Sequence, residues 1–209
     1  MQLIDTHCHL TFKVFKKDVS GVMARAGAAG VEKMLTVGTH LGNSAEAVEL
    51  ALEHENVLAA VGVHPHHVFE FYQKFMLANP HANSDRHQEV ASQQAAEVAK
   101  SLKQLMDRGG SRVVAVGEIG FDKHIYGLTK YADLKITDDY LIWQRVFLEA
   151  QLELAVSFGR AVLIHNREAV EELLDVLKSE KWDGKISRLV LHCCEPDDRL
   201  LDLAVAHQI

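Results

Sequence analysis

The run Arg112-Val113-Val114-Ala115-Val116-Gly117-Glu118-Ile119 decides the fold class of this 209-residue chain. Its length and its Val- and Ala-rich composition are typical of a strand that is buried in a parallel sheet. Five more runs of this kind occur along the chain. The predicted strands are Gln2–Thr6, Lys33–Val37, Val57–Val63, Arg112–Ile119, Ala161–Ile164 and Arg188–Leu191.

Amphipathic segments lie between several of these runs, with apolar residues at helical spacing over 19–26, 45–52 and 170–177. Alternation of strand and helix predicts a parallel α/β fold, and we expect one domain over residues 1–209. Asn43 and Asn166 are predicted to cap helices. The segments 69–94 and 122–139 follow predicted strands and are predicted to be substrate-facing loops.

The composition argues against several classes of protein. Lys and Arg total 22 against 29 Asp and Glu, a net charge of -7, so a broad basic surface that binds nucleic acid by counterion release alone is not expected. No stretch has the apolar character of a signal peptide or a membrane span. The cysteines, Cys8, Cys193 and Cys194, form no disulfide framework. We therefore expect a soluble, cytoplasmic protein without an obligate protein partner.

Histidines and one glutamate stand at the ends of four predicted strands. Two of the histidines, His7 and His9, are two residues apart, so the pleat of the strand places both imidazoles on one face. Glu118 ends a buried strand, where a carboxylate needs a compensating partner. Because parallel strands deliver their carboxyl ends to one rim, the sequence predicts one metal site there. Its ligands are His7, His9, Glu118, His165 and His192, a set that suits Zn, Mn, Fe or Co, singly or as a bridged pair.

Three further features have two interpretations each. His64, just before Pro65, either binds substrate or an ion, or caps the turn. Arg167 stands at a predicted helix start, where it either clamps an anion or forms a surface salt bridge. The pair Cys193–Cys194 is predicted to pack as small buried hydrophobes rather than to take part in catalysis.

Five ordered motifs resemble those of the TatD-type metal-dependent hydrolases, the TatD DNase family of the amidohydrolase-like superfamily. The motifs are Ile4–Leu10, Gly62–His66, Gly117–Asp122, Ile164–Ala169 and Leu191–Cys193. Gln144 and Gln151 are similar to residues of that family's helix before the fifth strand. The resemblance implies a TIM-type (β/α)8 barrel, two divalent metal ions (Mg, Mn or Zn) and, in many members, magnesium-dependent DNase activity.

Motif position also implies a role for each candidate residue. His7 and His9 would bind the first ion, and His165 and His192 the second. Glu118 would bridge the two ions and take part in catalysis. His64 and Arg167 would contact the substrate.

The chain departs from the family pattern in several places, two of which bear on its fold. Residues 192–196 read His-Cys-Cys-Glu-Pro, where the family usually has His-Cys-Phe-Ser-Gly. The chain also shows about six strands, and Ile209 falls where a seventh would begin. We therefore expect a barrel that lacks its last two strand–helix units, one of which supplies an aspartate ligand in the family. Three explanations fit the missing strands: the chain is a fragment, a partner completes the barrel, or the chain is a degenerate product. The intact motifs favour the fragment.

Three functional hypotheses follow. The leading one is a two-metal phosphodiesterase, a deoxyribonuclease acting on DNA or another phosphodiester through an activated water. The same ions can polarise a carbonyl, so the second is a hydrolase of amide, ester or aminoacyl bonds. The third is a non-catalytic or degenerate barrel protein that keeps a metal for structure.

Overall fold

Six parallel strands form one sheet in the order β1-β2-β3-β4-β5-β6. The computed structural model describes residues 2–127, 135–182, 184–186 and 188–206. The strands are β1 Leu3–Cys8, β2 Val31–Val37, β3 Val57–Val61, β4 Val113–Asp122, β5 Ala161–Arg167 and β6 Leu189–His192. This arrangement confirms the predicted parallel α/β class and the incomplete, six-stranded form of a barrel.

Seven helices occur in the described part of the chain. They are α1 Val19–Ala28, α2 Leu41–Glu53, α3 Pro65–Ala78, α4 Ser84–Gly109, α5 Asp138–Ser157, α6 Val170–Leu177 and α7 Asp198–Ala206, with a short 3-10 turn at Gly110–Arg112. None of these described helices combines the length and apolar character that a membrane span requires.

The two faces of the sheet carry different cores. The larger apolar cluster includes Met34, Val162 and Ile164 and packs the sheet against its helices. A smaller cluster includes Leu35 and Leu163. Leu35 follows Met34 along β2, and Leu163 lies between Val162 and Ile164 along β5. Successive side chains of a strand point to opposite faces, so the smaller cluster lies on the other face of the sheet.

Several strand ends differ from the prediction. The fourth and fifth strands, for example, run on to Asp122 and Arg167, beyond the predicted ends at Ile119 and Ile164. Backbone pairing between β4 and β5 continues past the apolar run, because the ladder of peptide hydrogen bonds does not depend on apolar side chains. The polar residues of the rim therefore belong to the strands themselves and share their rigidity.

The prediction of a loop over 69–94 is wrong, since helices α3 and α4 occupy most of that segment. Their apolar stripes pack against α5, which the mixed composition of the segment concealed. Of the second predicted loop, residues 128–134 lie outside the described residues. The flanking residues 123–127 and 135–137 have no helix or strand.

Both predicted helix caps are also wrong. The first residue of α2 follows His40, whose side chain accepts from backbone N–H groups, while Asn43 completes the capping box from the third helical position. Asn166 is fully buried inside β5, and α6 begins only at Val170.

Candidate metal centre

Glu118 reaches the centre of the rim because β4 bulges beside it. Gly117 pairs with Leu163 but Ile119 pairs with Ile164, so β4 carries one extra residue at this point. As a result Val116 and Ile119, three residues apart, both pack into the larger core. The bulge turns the Glu118 side chain onto the other face of the sheet.

Gly120 lets β4 approach β5 closely next to this bulge. Its φ of 141° is one that side chains rarely adopt. A Cβ atom at this position would lie 2.0 Å from the carbonyl oxygen of His165. A glycine is therefore required where Glu118 and His165 are brought together.

Histidine nitrogens surround the Glu118 carboxylate, which is only 3% exposed. Oε2 lies 3.6 Å from Nε2 of His7 and 3.8 Å from Nε2 of His9, and Oε1 lies 2.9 Å from Nδ1 of His165, 3.6 Å from Nε2 of His192 and 3.9 Å from Nε2 of His64. The structure thus gathers the five residues that the strand ends predicted, and adds His64.

Hydrogen bonds define the tautomers of two of these histidines. Nδ1 of His9 donates to the carbonyl oxygen of Val37 at 3.0 Å, which leaves a lone pair on Nε2 for an ion. Nδ1 of His64 instead accepts from the backbone N–H of His66 at 3.1 Å. In neutral His64 the proton is then on Nε2, so this atom is a donor and not a metal ligand. The turn-capping interpretation of His64 is confirmed, and the same side chain also faces the site.

Burial and the neighbouring charges shift the pKa values of the site. Burial lowers the pKa of His9, His64 and His192, which favours their neutral forms. Burial opposes ionisation of Glu118, but the surrounding histidines, His165 and His7 foremost, together outweigh it and hold the pKa of Glu118 well below its usual range. Burial also opposes charge on His165, yet its bonds to two carboxylates raise its pKa to about 9.

The donor set fits a transition-metal site. Both ring nitrogens of His7 are buried without a hydrogen-bond partner among the described residues. Ligand atoms 2.0–2.1 Å from a tetrahedral ion are about 3.4 Å apart, close to the separation of His7 Nε2 and Glu118 Oε2. His7, His9 and Glu118 form one group of ligand atoms within 4.8 Å of one another. His165, His192 and Cys193 form a second such group.

Asp122 is a site residue that the sequence prediction missed. It is fully buried, and its Oδ2 lies 2.7 Å from Nε2 of His165 and 3.1 Å from Nε2 of His66. The predicted fourth strand ended at Ile119, so Asp122 was assigned to a loop. Its position inside the Gly117–Asp122 motif was the signal that could have found it.

Arg167 ends β5 instead of beginning a helix, and its guanidinium faces Tyr126. Nη1 donates to the Tyr126 hydroxyl at 3.0 Å, and the guanidinium carbon lies 5.1 Å from the ring centroid. Arg167 has no salt bridge among the residues that the structure describes. The Tyr126 hydroxyl in turn donates to Asp122 Oδ2 at 3.1 Å.

Two glutamines of α5 fix the strand ends that carry the site. Gln151 accepts from the backbone N–H of Val63 at 2.7 Å and donates to its carbonyl at 3.2 Å, directly before His64. Gln144 makes the same pair of bonds, at 2.9 and 3.0 Å, with the backbone of Asp122. Seven residues apart, they lie on one helix face.

The cysteines only partly follow their prediction. Cys8 packs into the larger core, on the face opposite His7 and His9. Cys193 is exposed, so the prediction that it is buried is wrong. Its backbone has a φ of 54°, beyond the end of β6, and this turn places it outside the apolar layer.

The site opens into a cavity of about 330 Å³. Its lining residues are His9, Phe12, Thr39, His64, His66, His67, Glu118, Tyr126, His165 and His192. A buried carboxylate surrounded by imidazoles, at the carboxyl end of a parallel sheet, is a candidate metal site in a protein of the α/β barrel class. The chain belongs to the TatD related DNase family, whose model matches residues 4–207.

Individual relatives agree with this assignment. The chain is 30% identical to the metal-dependent hydrolase YjjV of Escherichia coli over 85% of its own length, and 31% identical to the 3'-5' ssDNA/RNA exonuclease TatD of Erwinia tasmaniensis over 91%. It spans 55% and 60% of these two relatives.

Solved structures show the same fold. The crystal structure of Escherichia coli YjjV matches 99% of this chain, and 65% of its own, with a TM-score of 0.70 and 28% identity. An amidohydrolase from Saccharomyces cerevisiae matches 99% of this chain and 66% of its own with a TM-score of 0.68. At 20% identity, this second match bears on the fold alone.

Proposed function

We propose that this protein is a divalent-metal-dependent phosphodiesterase that cleaves single-stranded nucleic acid, DNA above all. The observation that carries the proposal is the Glu118 carboxylate with five histidine nitrogens within 3.9 Å of its oxygens. The names of its relatives, a metal-dependent hydrolase and an ssDNA/RNA exonuclease, support the reaction class and the substrate.

We assign two ions to the side chains around Glu118. His7, His9 and Glu118 would hold the first, and Glu118 with His165 and His192 would hold the second. The candidates are Mg, Mn and Zn, and the imidazole-rich set favours Zn or Mn over Mg. Bound divalent ions would supply the positive charge that polarises a phosphoryl oxygen and makes water a stronger nucleophile at neutral pH.

His64 and Arg167 would contact the substrate. Nε2 of His64 carries a proton and lies 3.9 Å from Glu118 Oε1, so it can donate to a phosphate oxygen held beside Glu118. Arg167 keeps donors beyond the one it gives to Tyr126, and a guanidinium binds phosphate through paired N–H groups.

An aromatic side chain at the cavity supports a nucleic-acid substrate. Phe12 is 40% exposed, lines the cavity and stacks on His9 with ring centroids 4.3 Å apart. Bases stack on such rings without regard to sequence. Because the net charge is -7, affinity for nucleic acid would come from the site and not from a basic surface.

The free cysteines fit a protein that acts in the reducing cytoplasm.

The test is nucleotide release from end-labelled single-stranded DNA by the purified chain with Mg2+, Mn2+ or Zn2+. We expect metal-stimulated release that a chelator abolishes and that Glu118→Gln lowers on the order of 1000-fold. Glu153→Gln, the same change at an exposed surface position, should keep full activity. Metal-stimulated hydrolysis of aminoacyl or ester substrates without release of nucleotides would contradict the nuclease assignment. A chain that binds ions and hydrolyses neither substrate would contradict the enzyme assignment.

A further inference from the structure

The buried Asp122 carboxylate is surrounded by groups that donate hydrogen bonds. Its Oδ2 faces Nε2 of His165, Nε2 of His66 and the hydroxyl of Tyr126, and its Oδ1 accepts from the backbone N–H of His124 at 2.8 Å. Its own backbone is held by Gln144. The carboxylate is therefore fixed in orientation, and of the two imidazole nitrogens beside Oδ2 the nearer is Nε2 of His165.

The two nitrogens of His165 have unequal surroundings. Nε2 faces Asp122 at 2.7 Å inside the protein, whereas Nδ1 faces Glu118 Oε1 at 2.9 Å beside the cavity. Nδ1 and Oε1 are the two atoms of this pair that would be on hand to hold an ion at the cavity. Asp122 Oδ2 lies on the other side of the ring, where it accepts a hydrogen bond from Nε2.

From this geometry we propose that Asp122 is a positioning residue that keeps a proton on Nε2 of His165, so that Nδ1 is the ligand atom for the second ion. The inference rests on the proposed metal-dependent function. A carboxylate that accepts from the far nitrogen of a ligand histidine fixes its tautomer, orients its ring and strengthens its ligation. Asp122 does not touch the reacting atoms, so it acts through His165.

Two measurements with Zn2+ alone test the inference. The first is the long-range 1H–15N spectrum of histidine-labelled wild-type protein loaded with Zn2+, with His165 assigned by His165→Gln. We expect His165 to be protonated at Nε2 and coordinated at Nδ1. Coordination through Nε2, or an uncoordinated His165, would overturn the proposal. This measurement needs no folded variant at position 122.

The second is a Zn2+ titration of Asp122→Asn against a competing chelator. We expect the affinity for one of the two ions to fall about 10- to 100-fold, with the other within about 3-fold of wild type. Asp175→Asn, the same change at an exposed ion pair with Arg145, should bind both ions normally. Unchanged affinity for both ions, or an equal loss of both, would contradict the role of Asp122.

The failure of this inference and the failure of the proposed function give different results. A chain that binds two Zn2+ ions through Nδ1 of His165 but releases no nucleotides contradicts only the proposed function. A chain that cleaves DNA while Nε2 of His165 is the ligand contradicts only the role of Asp122.

Discussion

The two ends of the sheet differ in whether the polar groups around Arg112 and His7 have hydrogen-bond partners within the chain. At the amino end of the strands, the Arg112 guanidinium donates to the carbonyls of Ala51, His54 and Val57, and so completes the hydrogen bonding where α2 ends and β3 begins. At the carboxyl end, both ring nitrogens of His7 are buried without a partner among the described residues. The groups around Arg112 are satisfied within the chain, whereas the His7 nitrogens are left for a ligand.

The two ends of the sheet also differ in the charged groups that they hold. Arg112 meets neutral carbonyl oxygens that gain from a positive charge at a helix end. Glu118 instead lies buried among imidazoles, where a carboxylate is costly unless a cation or a proton is near. Changes at the carboxyl end should therefore reduce activity, and changes at the amino end should reduce stability.

The largest effect is expected at Glu118. Glu118→Gln removes the charge shared by both proposed ions, and we expect kcat/KM for metal-dependent cleavage to fall on the order of 1000-fold, about 4 kcal/mol of transition-state stabilisation. Steady-state kinetics at saturating metal measure it. If kcat/KM stays within a few-fold of wild type, the rim is not the active site.

The second effect tests the amino end. Arg112→Met leaves the three carbonyl groups without their charged donor, and we expect the free energy of unfolding to fall by about 3 kcal/mol. Urea denaturation measures this change. Arg108→Met, at an exposed pair with Glu49, is the control and should cost less than about 0.5 kcal/mol. A strong loss of kcat in folded Arg112→Met would contradict the assignment of stability to the amino end and activity to the carboxyl end.

Gln151→Leu tests whether one side chain of α5 supports both stability and activity at the carboxyl end of the sheet. The change deprives the N–H and C=O of Val63 of their partners, and we expect a loss of about 2 kcal/mol in the free energy of unfolding. Since His64 follows Val63, kcat should also fall, by about 10-fold. Denaturation and kinetics on the same variant measure both. Full activity would show that α5 supports the strand end without positioning His64.

The smallest effect is expected at Arg167. Arg167→Ala removes a substrate contact but no proposed metal ligand, so KM should rise about 10-fold, near 1.4 kcal/mol, with little change in kcat. Zn2+ affinity should stay at the wild-type value. Arg199→Ala, at a surface pair with Asp197, is the matched control. A fall in kcat without a change in KM would place Arg167 in the chemistry and not in binding.

Much of this site could be predicted from local patterns. The alternation along β1 places His7 and His9 together, and apolar runs locate the strand ends that carry His165 and His192. Those patterns fail where the strands continue with polar residues. Asp122 was missed for this reason, although it is as buried as the apolar core.

Helix ends are a second feature that local sequence patterns did not predict. The sequence predicted Asn43 as a cap because asparagine is a common one. In the structure His40 takes that position and Asn43 supports it from within the helix, since Asn43 Oδ1 accepts from the backbone N–H groups of Thr39 and His40. Which of two nearby polar residues caps a helix depends on where the preceding strand delivers the chain.

The sequence by itself determined the six parallel strands and the set of histidines at their ends, because burial and the two-residue period of a strand are local properties. Only the tertiary structure decided how Glu118 joins that set. By alternation it would share the outward face of Val116, and the bulge against β5 turns it to the cavity instead. Pairing with a neighbouring strand sets a bulge, so residues distant in sequence determine it.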